Sequence, residues 1–269
     1  MNQIRARARV VGAPTRRTVV SALVRGTKYD PPRGQVSFEK AVVEAVDFRG
    51  TSWDDFSATN SLFVECDFRE ARFAHAVLGS RQGQTRYVRC VFDQSDLRVA
   101  DPGTARFEAC QFEEARIEGW LGFLSEFVDC RFAGRMVGVT FSGRPWGPGA
   151  ERITQKRPIN EFRGNDFRRV DLIDCSFVRG IDLRVQSLPG GSEYIFFDRA
   201  AQRIAYAKQA VAAWPDLEAR TAALILLDVY STAGYEQQNE IFTHRWDLVP
   251  TVSREVTDRV WRLIEDQGV

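Results

Sequence analysis

The stretch SLFVECDFREARFAHAVL, residues 61–78, decides the fold. Phe63, Phe68, Phe73 and Leu78 stand at every fifth position, and Ser61, Cys66 and Ala71, two places earlier, are small. Neither common secondary structure explains this spacing. On an α-helix a step of five carries the side chain well round from its predecessor, and on a strand an odd step reverses the face. A chain that keeps such a rhythm must turn a corner within every repeat, which makes it a solenoid.

The rhythm reaches outward in both directions. Upstream it runs through Phe38, Val43, Phe48 and Trp53, and downstream through Tyr87, Phe92, Leu97, Phe107, Phe112, Ile117, Phe127, Phe132 and Val137. It returns as Phe162, Phe167, Leu172 and Phe177. The pentads VDFRG, CDFRE, ARFAH, SDLRV, NDFRR and VDLID resemble the pentapeptide-repeat family, whose consensus is Ala-(Asp/Asn)-Leu-X-X. The resemblance covers roughly residues 36–185. It implies a right-handed quadrilateral β-helix with four pentads per coil, giving about six coils here.

The twenty-residue coil can be checked on the chain itself. With faces numbered from one at Tyr87, a four-residue insertion within Gly79–Gln84 and a fifteen-residue insertion between Ser142 and Phe162 bring face two into line. That face then reads Phe48, Phe68, Phe92, Phe112, Phe132 and Phe167, with Cys66, Cys90, Cys110 and Cys130 two residues earlier. These phenylalanines and cysteines are the predicted structural core. Face four is irregular, with Ala58, Leu78, Pro102, Gly122, Ser142 and Phe177 at its centre. Where the central residue is smallest its partner is large, as in Phe56 with Ala58 and Trp120 with Gly122, which conserves core volume. Arg135 is the one conflict: the register points it inward on face three between Gly134 and Gly138, and a bulge is expected there.

The composition narrows the functions. The formal net charge is +1, and the chain holds two histidines, two methionines and 19 phenylalanines. Two histidines leave little material for metal or acid–base chemistry. The cysteines lack close Cys-x-x-Cys spacing and read as buried packing rather than zinc ligands or disulfides. His244, near Glu240 and Asp247, has no nucleophile motif beside it. No catalytic residue, cofactor site or metal site is expected, and no run is long enough to span a membrane. The chain reads as cytoplasmic and not an enzyme.

The ends differ from the middle. Residues 1–35 carry a charge of +7 against −2 for 36–185 and −4 for 186–269. The first segment reads as a basic arm or cap, the only place where direct nucleic-acid binding is expected. Residues 186–269 read as a helical domain with helices over 198–213, Leu217 to Tyr230, 235–247 and 252–266. It covers the solenoid's end and offers enough helix for a homodimer contact.

Function is expected in the interruptions, because loops projecting from a regular scaffold concentrate binding residues. The long loop, 143–159, carries Trp146 between prolines with Arg144, Arg152, Lys156 and Arg157. These five residues are the predicted partner-binding set, with Trp146 as an apolar anchor and the cations meeting an acidic surface. Since the rhythm leaves and returns cleanly, removing the loop is expected to leave thermal stability nearly unchanged. The reading is a non-catalytic scaffold that binds a protein partner through this loop, a solenoid face or the helical domain. The resemblance also implies an alternative: a type II topoisomerase (DNA gyrase) partner, protected against quinolones or a natural product. DNA mimicry of that kind needs a continuous acidic surface. Asp47 and Asp67 instead alternate with Arg49 and Arg69.

Overall fold

The computed structural model describes residues 17–232, 235, 237–246 and 252–266. Its first and larger part is a β-solenoid of parallel strands. Face one is a seven-stranded sheet formed by Leu23–Arg25, Val42–Glu44, Leu62–Val64, Arg86–Val88, Arg106–Glu108, Glu126–Val128 and Phe162–Arg163. The register pairs Val43 with Phe63, Phe63 with Tyr87, Tyr87 with Phe107, Phe107 with Phe127 and Phe127 with Phe162.

The core is a set of ring columns. On face two Phe48, Phe68, Phe92, Phe112, Phe132 and Phe167 stack in turn, with centroids 4.6, 4.8, 5.0, 5.0 and 4.7 Å apart. That is the spacing between neighbouring strands, so one ring per coil fills the interior without offset. The cysteines beside them are buried free thiols. Each Sγ donates to a carbonyl of the preceding coil: Cys66 to Val43 at 3.4 Å, Cys110 to Tyr87 at 3.3 Å and Cys130 to Phe107 at 3.4 Å. Asn165 takes the same place in the next coil, donating to the Phe127 carbonyl at 2.9 Å. Phe56 and Trp120 both fill the core beside their small partners.

Corners repeat as regularly as the rings. The residue two places after an inward ring adopts positive φ at Lys40, Glu65, Glu70, Arg89, Gln94, Ala109 and Glu114. A left-handed residue turns the chain sharply onto the next face within one position, which is how a five-residue unit closes a side.

Four expectations need correction. The solenoid begins earlier than residue 36: Arg17–Val20 pairs in parallel with Gln35–Glu39, and Leu23–Arg25 with Val42–Glu44. Arg17 and Arg25 are neutralised there by Glu39 and Glu44. Of the other arginines in the basic arm, Arg5, Arg7, Arg9 and Arg16 lie outside the described residues and Arg33 lies within them. The coil also runs slightly past 185, since Ser187 bridges Asp166.

The sixth strand layer is one residue short. Phe112 pairs with Phe132, but Ile117 pairs with Met136 and Gly122 with Phe141, so Met136 and Phe141 fill the places predicted for Val137 and Ser142. The strand Arg131–Val137 runs straight through the corner, and the register shifts against Asp166–Ile173. That slip releases Arg135, which faces solvent 4.0 Å from Asp171. The residue lost from the coil belongs to the long loop, which leaves after Phe141.

Among the described residues the second part holds three helices, Ala200–Ala212, Leu217–Val229 and Arg254–Glu265. The helix expected over 235–247 is absent. Within it Ile241–His244 is a strand, antiparallel to Tyr194–Phe197; residues 236 and 247 lie outside the described residues. This pair closes the solenoid. Phe242 and Tyr194 join its core, with Phe242 6.4 Å from Phe177.

Candidate functional site

Both insertions leave the solenoid at the corner between faces four and one. The short loop, 79–84, is fixed at its base by Thr104, whose N–H donates to the Gly79 carbonyl at 2.9 Å. The long loop has a closed neck: the Asn160 N–H donates to Gly143 O at 2.9 Å, and its side-chain amide donates to Ser142 O at 2.8 Å and Phe123 O at 3.0 Å. Within the loop Ala150–Thr154 forms one helical turn. The two loops meet, because a Cβ on Gly149 would lie 3.1 Å from Arg81 Cδ.

A buried carboxylate ties both loops to face one. Glu126 accepts from Gln84 Nε2 of the short loop at 2.7 Å and from the Glu161 N–H at 2.8 Å. Arg157 Nη1 of the long loop stands 2.7 Å away, and Arg106 Nη1 3.2 Å away. Burial alone would raise the Glu126 pKa, but these donors outweigh it and hold the carboxyl below its usual range.

Between the loops face four opens. Its sheet is in two pieces, one ending at Ala100–Asp101 and the other starting at Leu121–Gly122. Pro102 has no N–H to continue the ladder. Here lies a groove of about 700 Å³, lined among others by Arg81, Val99, Leu121, Phe123, Trp146 and Pro148. Val99, Leu121 and Trp146 are 53%, 54% and 46% exposed, so the groove presents large apolar groups to water. The Trp146 ring stands edge-on to Phe123 at 4.5 Å, and the Arg179 guanidinium lies 5.6 Å from its centroid.

Of the predicted partner-binding residues, Arg144, Trp146, Arg152 and Lys156 are exposed. Arg157 is not available: its guanidinium is largely buried on Glu126 and also donates to the Leu124 carbonyl. Val99, Leu121, Arg81 and Glu126 were not foreseen. Leu121 was visible as an outward leucine in WLGF; Glu126 looked like any outward residue until two loops closed over it.

The solenoid surface is neutralised differently. Asp47, Asp67, Asp96 and Asp166 each pair with the arginine two residues later, at 2.9, 2.6, 2.7 and 2.6 Å. The paired guanidinium lowers the carboxyl pKa of Asp47 and of Asp166 to about 2. Five-residue steps, four sides to a coil, a large residue inward with its small partner two places before it, and this Asp-x-Arg dress outside define one architecture. The solenoid is a four-sided β-helix of five-residue repeats.

No family model matches the chain, and no curated protein matches it. Solved structures of QnrB1, described as a plasmid-mediated fluoroquinolone resistance protein, are similar to it. The full-length form is 16% identical, covering 65% of this chain and 92% of that one, with a TM-score of 0.27. Two trypsin-treated variants are each 19% identical, with TM-scores of 0.27 and 0.23, covering 65% and 64% of this chain and 88% and 89% of theirs.

Other chemistry is sparse on this four-sided scaffold. His75 pairs with Asp55 at 3.0 Å on the surface, and His244 packs edge-on to Tyr194 and Trp246. Among the described residues no group of three or more His, Cys, Asp or Glu side chains could hold a metal, and no helix is long and apolar enough to cross a membrane.

Proposed function

We propose that the protein is a non-catalytic interaction scaffold whose face-four groove receives a protein partner, with Trp146 as the apolar anchor. The observation that carries this reading is the exposure of Trp146 beside Val99 and Leu121, on a solenoid whose other aromatic side chains are buried in its core or, like Tyr29 and Phe123, half-buried. A half-exposed tryptophan braced edge-on by a second ring is pre-positioned, so little side-chain entropy is lost when a partner covers it. The solenoid supplies rigidity, and the two loops supply the walls.

A topoisomerase is one partner that this scaffold reading admits. The paired Asp-x-Arg surface speaks against entry as a mimic of DNA, which would need unneutralised acidic charge in rows. The contact would then fall on the loops.

The test is a partner captured from the native host and assayed against Trp146→Ala and Leu121→Asp. Both side chains are about half exposed and lie outside the core, so the variants should fold as the parent does. Loss of binding by about tenfold or more in each is expected, as for an interface anchor. Unchanged binding in both, with the fold intact, would move the contact away from the groove.

A further inference from the structure

We infer that the segment entering the groove is acidic: an extended stretch of the partner protein in which Asp or Glu residues flank one or two large apolar side chains. This rests on the groove being the contact surface, and it adds the chemistry of what binds there.

The inference comes from where the positive charge is left over. Along the solenoid most arginines are matched: Arg49, Arg69, Arg98 and Arg168 each by the aspartate two residues earlier, and Arg86, Arg89, Arg163 and Arg169 by carboxylates on other coils or neighbouring positions, while Arg33, Arg72 and Arg131 stand singly. At the groove this matching stops. Arg81 lines it, and Arg144, Arg152 and Lys156 stand on the loop that forms its wall. None of the four has an ion-pair partner among the described residues. Against them stand Glu151 in the same loop and Asp101, whose Oδ1 already accepts from the Gly103 N–H at 2.8 Å. The excess is cationic, and Arg81 brings it to the edge of an apolar floor.

Two cations are set at the groove itself. Arg81 reaches from the short loop to Gly149 of the long one, at the junction of the two walls. The Arg179 guanidinium lies over the Trp146 ring, so the apolar anchor itself carries a neighbouring cation. An apolar peptide would leave Arg81 and the cations of the long loop unmatched, and a basic one would be repelled by them. A segment with acids on either side of an apolar residue satisfies both the floor and the rim.

The test uses short fluorescent peptides of one length in three versions, each with a central Leu-Phe pair: acidic, neutral-polar and basic flanks. A labelled single-stranded oligonucleotide is the fourth probe. Binding to the full chain is read by anisotropy at low and raised salt, for the parent, for Trp146→Ala and for Arg81→Glu with Arg152→Glu. The expected result is binding of the acidic peptide above the others, weakened about tenfold by each variant and by salt. Equal binding of the neutral peptide, still lost in Trp146→Ala, would keep the groove and overturn its acidic ligand. Binding that ignores Trp146→Ala would remove the groove itself. Preference for the oligonucleotide, or no binding by any probe, would also overturn the inference.

Discussion

Gln84 of the short loop and Arg157 of the long loop converge on one carboxylate, each 2.7 Å from Glu126. The loops are 59 residues or more apart along the chain, with three coils between them, yet a single buried acid fixes the distance between them. Arg157 is thereby a positioning residue rather than a contact for a partner. It also alters the expectation that the long loop can be removed without effect. Cutting between Gly143 and Asn160 would preserve the neck but leave Glu126 with fewer donors.

Arg157→Met should therefore destabilise the protein by about 1–3 kcal/mol, the cost of leaving a buried acceptor less satisfied. Glu126→Gln should destabilise as well, and its effect should depend on pH. The folded pKa of Glu126 is lowered, so its contribution is full above the ordinary carboxylate value, about 4.3. It is lost as pH falls through the lowered folded value. Thermal melts should show the parent's advantage over Glu126→Gln at neutral pH shrinking as the solution is acidified below that range. An advantage that grows on acidification would contradict the assignment.

The core offers a second prediction. Phe112 lies between Phe92 and Phe132, each 5.0 Å away, in a column whose spacing is set by the backbone ladder. Coils tied by parallel strands cannot close over a missing ring. Phe112→Ala should cost about 3–5 kcal/mol, measured by denaturant unfolding. The five thiols should label only on unfolding, since all are buried and burial pushes the Cys110 thiol well up.

How far the sequence foretold this follows from what the period does and does not encode. The face-two column was legible because one ring per coil must meet the next, so phenylalanines and cysteines align only in the true register. The short coil was not, because Met136 and Val137 are both apolar neighbours and either satisfies the rhythm. Phe141 beside Ser142 was the available signal: the larger residue belonged inside. The strand Ile241–His244 was misread because Tyr235, Phe242 and Trp246 also fit a helical face. What decided it was the open end of the solenoid, which no local pattern reports. The groove was half legible: Trp146 marked the long loop, but that the short loop faces it depends on both insertions leaving one corner.

The surface gives a third prediction. Rows of Asp-x-Arg pairs leave little net negative charge on face two, and the paired Asp47 and Asp166 gain nothing by presenting themselves as phosphates. Weak or no inhibition of DNA supercoiling by gyrase is expected at low micromolar protein. Strong inhibition that survives Trp146→Ala would place the contact on the solenoid faces instead of the groove.

The last prediction concerns the end of the rod. A parallel solenoid finishes with unpaired N–H and C=O groups, an edge onto which another strand can grow. Here side chains of the following segment occupy it. The buried Gln238 amide accepts at Oε1 from the N–H groups of Gly180 and Ile181, at 2.9 and 3.0 Å, and donates from Nε2 to the Ile181 carbonyl at 2.7 Å. Glu240 accepts from the Leu183 N–H at 3.0 Å and meets Arg184 at the same distance. Together these bonds reproduce part of what a further coil would offer. Gln238→Ala would strand three backbone groups at once beneath Phe242, so a loss of roughly 2–4 kcal/mol is expected, above that of a single hydrogen bond. Gln238→Glu is the informative companion. It keeps the acceptor for Gly180 and Ile181 but sets a carboxylate against the Ile181 carbonyl, and should be harmful at neutral pH and less so in acid, where a protonated carboxyl can donate. Melting curves across pH, with light scattering to detect end-to-end association of the uncapped rods, would check both. If Gln238→Ala melts with the parent and stays monodisperse, the cap is carried by the packing of Phe242 and Tyr194 alone.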